Sequence, residues 1–255
     1  ICCIENDTVV AQEYGVSPTS LYVLIDNFRW KTLINNEDID VFSKHFHYIA
    51  YDESYNSLWI TLGDNNPIRL IRGKIKDHKF SWTVTYKGPW QFLPIFVEDR
   101  RVVLGMDSGI VKGGIGIYFV EEDTWRFTFL KWIAHGERRI QALELKKVGG
   151  KIWVMVLGKP QAMLISNNLL NWYLAYLEGV ETKFRYNMSA SISENIVVLS
   201  TGKYLVFFEK TDLRNVLKKQ PIVIPYISYS DKLKGYGFML KSKFRELVKM
   251  LRILR

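Results

Sequence analysis

Short apolar runs alternate with polar turns along most of the chain, and the alternation is that of strands. One stretch shows the plan: HYIAYD at His47–Asp52, SLWITL at Ser57–Leu62, IRLIRGK at Ile68–Lys74 and SWTVTY at Ser81–Tyr86. Turn residues separate them at Glu53–Asn56, Gly63–Pro67 and Asp77–Lys79. The same four-strand plan predicts Phe92–Val97, Arg101–Met106, Gly114–Val120 and Trp125–Trp132 as a second unit. A third follows at Ile140–Lys147, Lys151–Leu157, Ala162–Ser166 and Trp172–Glu178. A fourth begins Tyr186–Ile192, Asn195–Ser200 and Tyr204–Glu209, with Ile222–Tyr229 as its outer strand after a polar insertion. The N-terminal stretch supplies Ile1–Ile4, Thr8–Glu13, Leu21–Ile25 and Trp30–Leu33.

Two markers run in phase with this pattern. Trp30, Trp82, Trp125 and Trp172 recur at gaps of 52, 43 and 47 residues. Gly15, Gly63, Gly105, Gly158 and Gly202, each after a second strand, recur at gaps of 48, 42, 53 and 44. A period of 40 to 50 residues filled by short strands predicts an all-β fold, a β-propeller of about five four-stranded blades. A sixth blade stays open. Residues 1–240 form the propeller in this reading.

After residue 240 the pattern changes. Phe244, Leu247, Val248, Leu251 and Leu254 share one side of a helical wheel, while Lys241, Arg245, Lys249 and Arg252 share another. Residues 241–255 are therefore expected to form a short basic amphipathic helix. It would pack on the propeller, lie on an anionic membrane surface or dock on a protein partner.

Charge adds one constraint. The net charge is +9; residues 241–255 carry six basic groups against Glu246, or +5, which leaves +4 for residues 1–240. The body is only mildly basic, so no strong nucleic-acid signal is present. No apolar run is long enough for a membrane-spanning helix, which favours a soluble protein. The chain begins with Ile1, so a removed leader stays open. The two cysteines, Cys2 and Cys3, are adjacent, a spacing poorly suited to a mutual disulfide.

The turns before the tryptophans resemble degenerate Asp-boxes of the sialidase-like BNR-repeat propellers. Asp77 lies five residues before Trp82, and Ser166, Asn167 and Asn168 precede Trp172 similarly. Asp26 and Asp123 are shifted relative to Trp30 and Trp125, and the motif glycine is absent from all four. Residues 8–120 also resemble a glycosyl-hydrolase-like group within that family. The resemblance rests on Gln12-Glu13-Tyr14-Gly15, His45-Phe46-His47, Tyr51-Asp52, Thr61-Leu62-Gly63-Asp64 and Gly105-Met106-Asp107-Ser108. It implies a propeller, structural box tryptophans packed between blades, and carbohydrate binding or processing at the mouth of a central channel.

Candidate chemistry gathers at strand ends. Glu13, Asp64 and Asp107 are the candidate catalytic carboxylates; Tyr14, His45, His47, Trp90 and Gln91 are the candidate ligand contacts. Glycoside hydrolysis requires a pair of carboxyl groups, and aromatic rings stack on the C–H faces of sugars. His45 and His47 are two apart, so on a strand they share a face. With a nearby carboxylate they are competent to bind a divalent metal or a glycan, or simply to hydrogen-bond neighbouring strands. Arg69, Arg72, Arg100, Arg101, Arg138 and Arg139 fall mostly in turns or third strands, so the arginine triad of sialidases is not expected. The alternative function is a non-enzymatic interaction or adhesion propeller, since the fold alone serves many roles.

Overall fold

The computed structural model describes all residues except 5–7, 17, 26–27, 65, 99, 134–138, 159, 179–187, 202 and 254–255, with residues 252–253 in backbone only. Asp26, Arg138, Tyr186, Gly202, Leu254 and Arg255, and the side chain of Arg252, lie outside the described residues. The chain forms two compact units, one of Ile1–Phe92 with Ser228–Arg255 and one of Leu93–Ile227.

The first unit holds two four-stranded antiparallel sheets. One is β1 (Cys2–Cys3), β2 (Val9–Gln12), β3 (Ser20–Ile25) and β4 (Arg29–Asn35). A short helix α1 (Asn36–Ile39) leads to the other, β5 (His45–Asp52), β6 (Ser57–Gly63), β7 (Ile68–Lys76) and β8 (Lys79–Lys87). Val10, Leu21, Val23, Phe46, Ile49, Leu58, Ile60, Leu62 and Ile71 form one buried cluster. Leu21 and Val23, and Leu58, Ile60 and Leu62, lie at every second position of their strands, while Phe46 and Ile49 are three apart across an irregularity in β5. The turn between β7 and β8 is Asp77–His78, both at positive φ (51° and 55°), with Lys76 paired to Lys79. That is the two-residue hairpin whose twist matches its strands.

The second unit starts at Leu93, the second residue of β9 (Phe92–Glu98), and runs through β10 (Arg101–Met106), β11 (Gly114–Phe119) and β12 (Thr124–Trp132), then β13 (Ala142–Val148), β14 (Ile152–Gly158), β15 (Gln161–Ser166) and β16 (Tyr173–Leu177). A three-stranded sheet follows: β17 (Ser189–Ile192), β18 (Ile196–Ser200) and β19 (Leu205–Glu209). The polar insertion then forms α2 (Lys210–Val216). The expected outer strand at Ile222–Tyr229 is corrected in two ways. Only β20 (Val223–Pro225) is a strand, and it pairs antiparallel with β12 instead of completing the β17–β19 sheet.

The C-terminal helix is also longer than the sequence pattern indicates. α3 spans Tyr229–Ile253 and starts well before Lys241. It packs within the first unit. A Cβ on Gly235 would lie 2.8 Å from Trp90 and 3.0 Å from Pro89, so only glycine admits this approach.

The repeat tryptophans do mark fourth strands, but they are not uniformly structural. Trp172 is fully buried and donates Nε1–H to the Leu169 carbonyl (3.2 Å). Its turn is box-like: Ser166 Oγ accepts from the N–H of Asn168 and Leu169, and Asn168 Oδ1 accepts from those of Leu170 and Asn171. Trp82 and Trp125 are half-buried, and Trp30 is 47% exposed. Trp59 and Trp153 occupy buried core positions instead.

Candidate functional site

The histidine pair sits at an irregularity in β5. Phe46 pairs with Leu62 and Tyr48 pairs with Thr61, so His47 is the extra residue of a bulge. Bulges re-aim side chains. Phe46 enters the buried cluster, while the His45 and His47 rings lie together, centroids 4.9 Å apart. Both histidines are buried.

Each ring is anchored by one nitrogen. His45 Nδ1 lies 2.9 Å from the Gly15 carbonyl oxygen, and His47 Nδ1 lies 3.1 Å from that of Phe92. A carbonyl only accepts, so each Nδ1 carries a proton, and the neutral form of each ring presents a lone pair at Nε2. The two Nε2 atoms converge over Gly63, the residue opposite His45 in the ladder. A Cβ there would overlap His47 Nε2 and lie 2.8 Å from His45 Nε2. His45 Nε2 is buried without a hydrogen-bond partner among the described residues. Burial pushes the His47 pKa down to about 4, against the smaller opposing effect of its bond to Phe92. Its imidazole is therefore neutral at physiological pH.

Tyr14 covers the pair. Its ring centroid is 4.2 Å from that of His45 and 6.3 Å from that of His47, and the residue is 68% exposed. Below, Gln12 on β2 donates Nε2–H to the His47 carbonyl (2.8 Å), which ties the bulge to the neighbouring sheet.

Asp64 follows β6 at a positive φ of 50°, beside Gly63. Its Oδ1 accepts from Gln91 Nε2 (3.1 Å), and its Oδ2 lies 3.4 Å from Lys44 Nζ. Burial acts to raise its pKa, but the Gln91 hydrogen bond, the charge that His47 gains only in the acid range, and Lys44 together outweigh that and hold the carboxyl below its usual range. Asp64 is an ionised acceptor, and a poor proton donor.

A buried cation that sequence reasoning set aside completes the network. Arg69 on β7 donates Nη1–H to Gln91 Oε1 (3.1 Å) and Nε–H to the Gly88 carbonyl (3.3 Å), and its guanidinium lies 5.1 Å from the Phe238 ring centroid of α3. Burial lowers its pKa to about 10, where it remains charged. Gln91 thus relays between Arg69 and Asp64.

The other expected residues are placed differently. Trp90 is buried beneath Gly235 of α3, so it seats the helix. Glu13 is exposed, and its Oε2 accepts from the Ser20 N–H (3.1 Å) and the Tyr22 hydroxyl (3.2 Å), clamping the β2–β3 hairpin. Asp107, half-buried after β10, belongs to the second unit. Among the described residues no group of three or more His, Cys, Asp or Glu side chains could hold a metal ion. The metal expectation at His45 and His47 therefore has two nitrogen ligands and no assembled third. The described helices also include none long and apolar enough to cross a membrane.

No family model matches the chain, and no curated protein matches it. Solved structures do. Prolyl oligopeptidase B from Galerina marginata, bound to a hydrolysis and macrocyclization substrate, superposes over 82% of this chain and 32% of its own, with 8% identity and a TM-score of 0.51. The apo form of that protein gives 82% and 31%, with 8% identity and a TM-score of 0.50. TolB from Acinetobacter baumannii covers 86% of this chain and 52% of its own, with 9% identity and a TM-score of 0.47. The chain thus spans about a third of the length of the oligopeptidase. At this identity the likeness shows the fold alone, and that fold is β-propeller-like.

Proposed function

We propose that this chain is a ligand-binding propeller in which the five sheets serve as blades. Its binding site is the Tyr14–His45–His47–Asp64 corner of the first unit. Its ligand is hydroxyl-rich, a glycan, and is held without being cleaved.

The convergence of two imidazole Nε2 acceptors over Gly63 carries this reading. A buried acceptor without a donor costs about 1–3 kcal/mol, and a ligand hydroxyl that reaches His45 Nε2 recovers it. His47 Nε2 and ionised Asp64 add acceptors of the same kind. Rotation of the exposed Tyr14 side chain opens the pair and offers a ring face to the C–H surface of a sugar. Cleavage is disfavoured because glycoside hydrolysis needs one protonated carboxyl beside a second carboxylate. In this corner Asp64 is held ionised, and Glu13 is committed to Ser20 and Tyr22.

The test is a glycan array, followed by calorimetric titration of the best binder against wild type, Tyr14→Ala and His45→Phe. Each variant should weaken binding by about tenfold or more, one interaction worth about 1.4 kcal/mol, with no product released. Absence of any bound glycan, or affinity unchanged in both variants, refutes the reading.

A further inference from the structure

One face of α3 is committed to the first unit. Gly235 lies on Trp90 and Pro89, Phe238 on Arg69, Glu246 bonds Lys87 (3.0 Å), and Lys249 approaches the Phe42 ring (5.9 Å). Asp231 and Ser242 are buried on the same face. Tyr229, Leu233, Tyr236, Leu240, Phe244, Leu247 and Leu251 are all exposed, by 48% to 77%. Their spacing is 4-3-4 twice over, an eleven-residue repeat that drifts by only about 20° per repeat around a helix. At 3.6 residues per turn they fall within about 40° of one line, roughly opposite the packed face. Seven large apolar side chains in a continuous outward stripe exceed the scattered apolar exposure of an ordinary surface.

Charge selects what covers the stripe. Lys232 and Lys243 border it on one side, and Lys234 and Lys241 on the other. The acidic residues of α3 are Asp231, which is buried near Lys234, and Glu246, which is held by Lys87. A second copy of the helix would therefore bring lysines against lysines, with no carboxylate along the seam to pair them. A surface of anionic phospholipid meets both demands, taking the Leu, Tyr and Phe side chains at the acyl boundary and the flanking ammonium groups at the headgroups. The helix does not qualify as a membrane span.

We propose that α3 is a peripheral membrane-binding element that lays the Tyr229–Leu251 stripe on anionic phospholipid. The fold supports it from behind through Gly235, Phe238 and Glu246.

Co-sedimentation of the whole chain with phosphatidylserine-containing vesicles and with phosphatidylcholine-only vesicles tests this. Wild type should pellet with the former, and less so as salt rises. Leu240→Glu with Phe244→Glu, both at exposed positions, should abolish pelleting while the circular dichroism melt is retained. Lys232→Gln, Lys241→Gln and Lys243→Gln together should weaken partitioning on the order of 100-fold, about five-fold for each lysine at the surface. Wild type that ignores phosphatidylserine vesicles, or a folded Leu240/Phe244 variant that still pellets, overturns the proposal. So does a concentration-dependent dimer in sedimentation equilibrium that the same variant dissolves without any vesicle binding.

Discussion

Replacing Gly63 with alanine places a methyl group where the two imidazoles meet. The added Cβ would overlap His47 and lie 2.8 Å from His45 Nε2. Neither ring can swing away freely, because each is buried and tethered through Nδ1 to a backbone carbonyl. Overpacking of this kind costs about 1–3 kcal/mol. Breaking one tether to relieve it adds about 1 kcal/mol. Alanine in a strand returns about 0.5–1 kcal/mol by restricting the unfolded chain. The net loss expected is about 1–3 kcal/mol. Urea denaturation followed by tryptophan fluorescence measures it, with Gly15→Ala as the comparison, since a Cβ at Gly15 meets nothing within 4 Å. A Gly63→Ala loss under about 0.5 kcal/mol at unchanged m-value would show that the imidazoles do not converge there, and the site would dissolve with them.

Stability should also depend on pH through His47. Its folded pKa of about 4 lies below the ordinary 6.5, so between those values the unfolded chain binds the extra proton. The full contribution is present above about pH 6.5 and is lost as pH falls toward 4, a loss of about 3 kcal/mol; denaturation midpoints from pH 7 to 4 for wild type and His47→Gln should diverge accordingly, and parallel curves would contradict the assignment. Trp172→Ala should cost about 3–5 kcal/mol as a fully buried aromatic, while Trp30→Ala on an exposed strand should cost under about 1 kcal/mol; thermal melts giving equal losses would refute this division of the repeat tryptophans.

Strand placement was legible because each four-strand unit repeats its own local punctuation. Arg101–Met106 reads correctly to the residue, since charge and turn signals bracket an uninterrupted apolar run. The start of α3 was not legible. Its packed face uses Gly235, which fits against Trp90 and Pro89, and the buried polar residues Asp231 and Ser242, so the helix lacks an apolar inward stripe that would mark its start. The β-branched run at Ile222–Ile224 reads as an outer strand, yet its partner is β12, a pairing that no local pattern encodes. His45 and His47 share a face by their spacing, as the sequence indicates, while the bulge between Phe46 and Tyr48 leaves no mark in the sequence. Arg69 reads as an ordinary third-strand residue because its partners Gln91 and Phe238 are both distant along the chain. Glu13 looks catalytic beside Tyr14, but its carboxylate is used up by Ser20 and Tyr22 across the hairpin.

The most direct test of the account is long-range ¹H–¹⁵N correlation spectroscopy of the histidine rings during titration with the glycan selected by array. Both His45 and His47 should carry a proton on Nδ1, and their Nε2 resonances should shift together as the ligand is added. An Nε2–H tautomer at either ring, or Nε2 resonances that stay fixed while the glycan binds, would contradict the claim that these two nitrogens form the binding site.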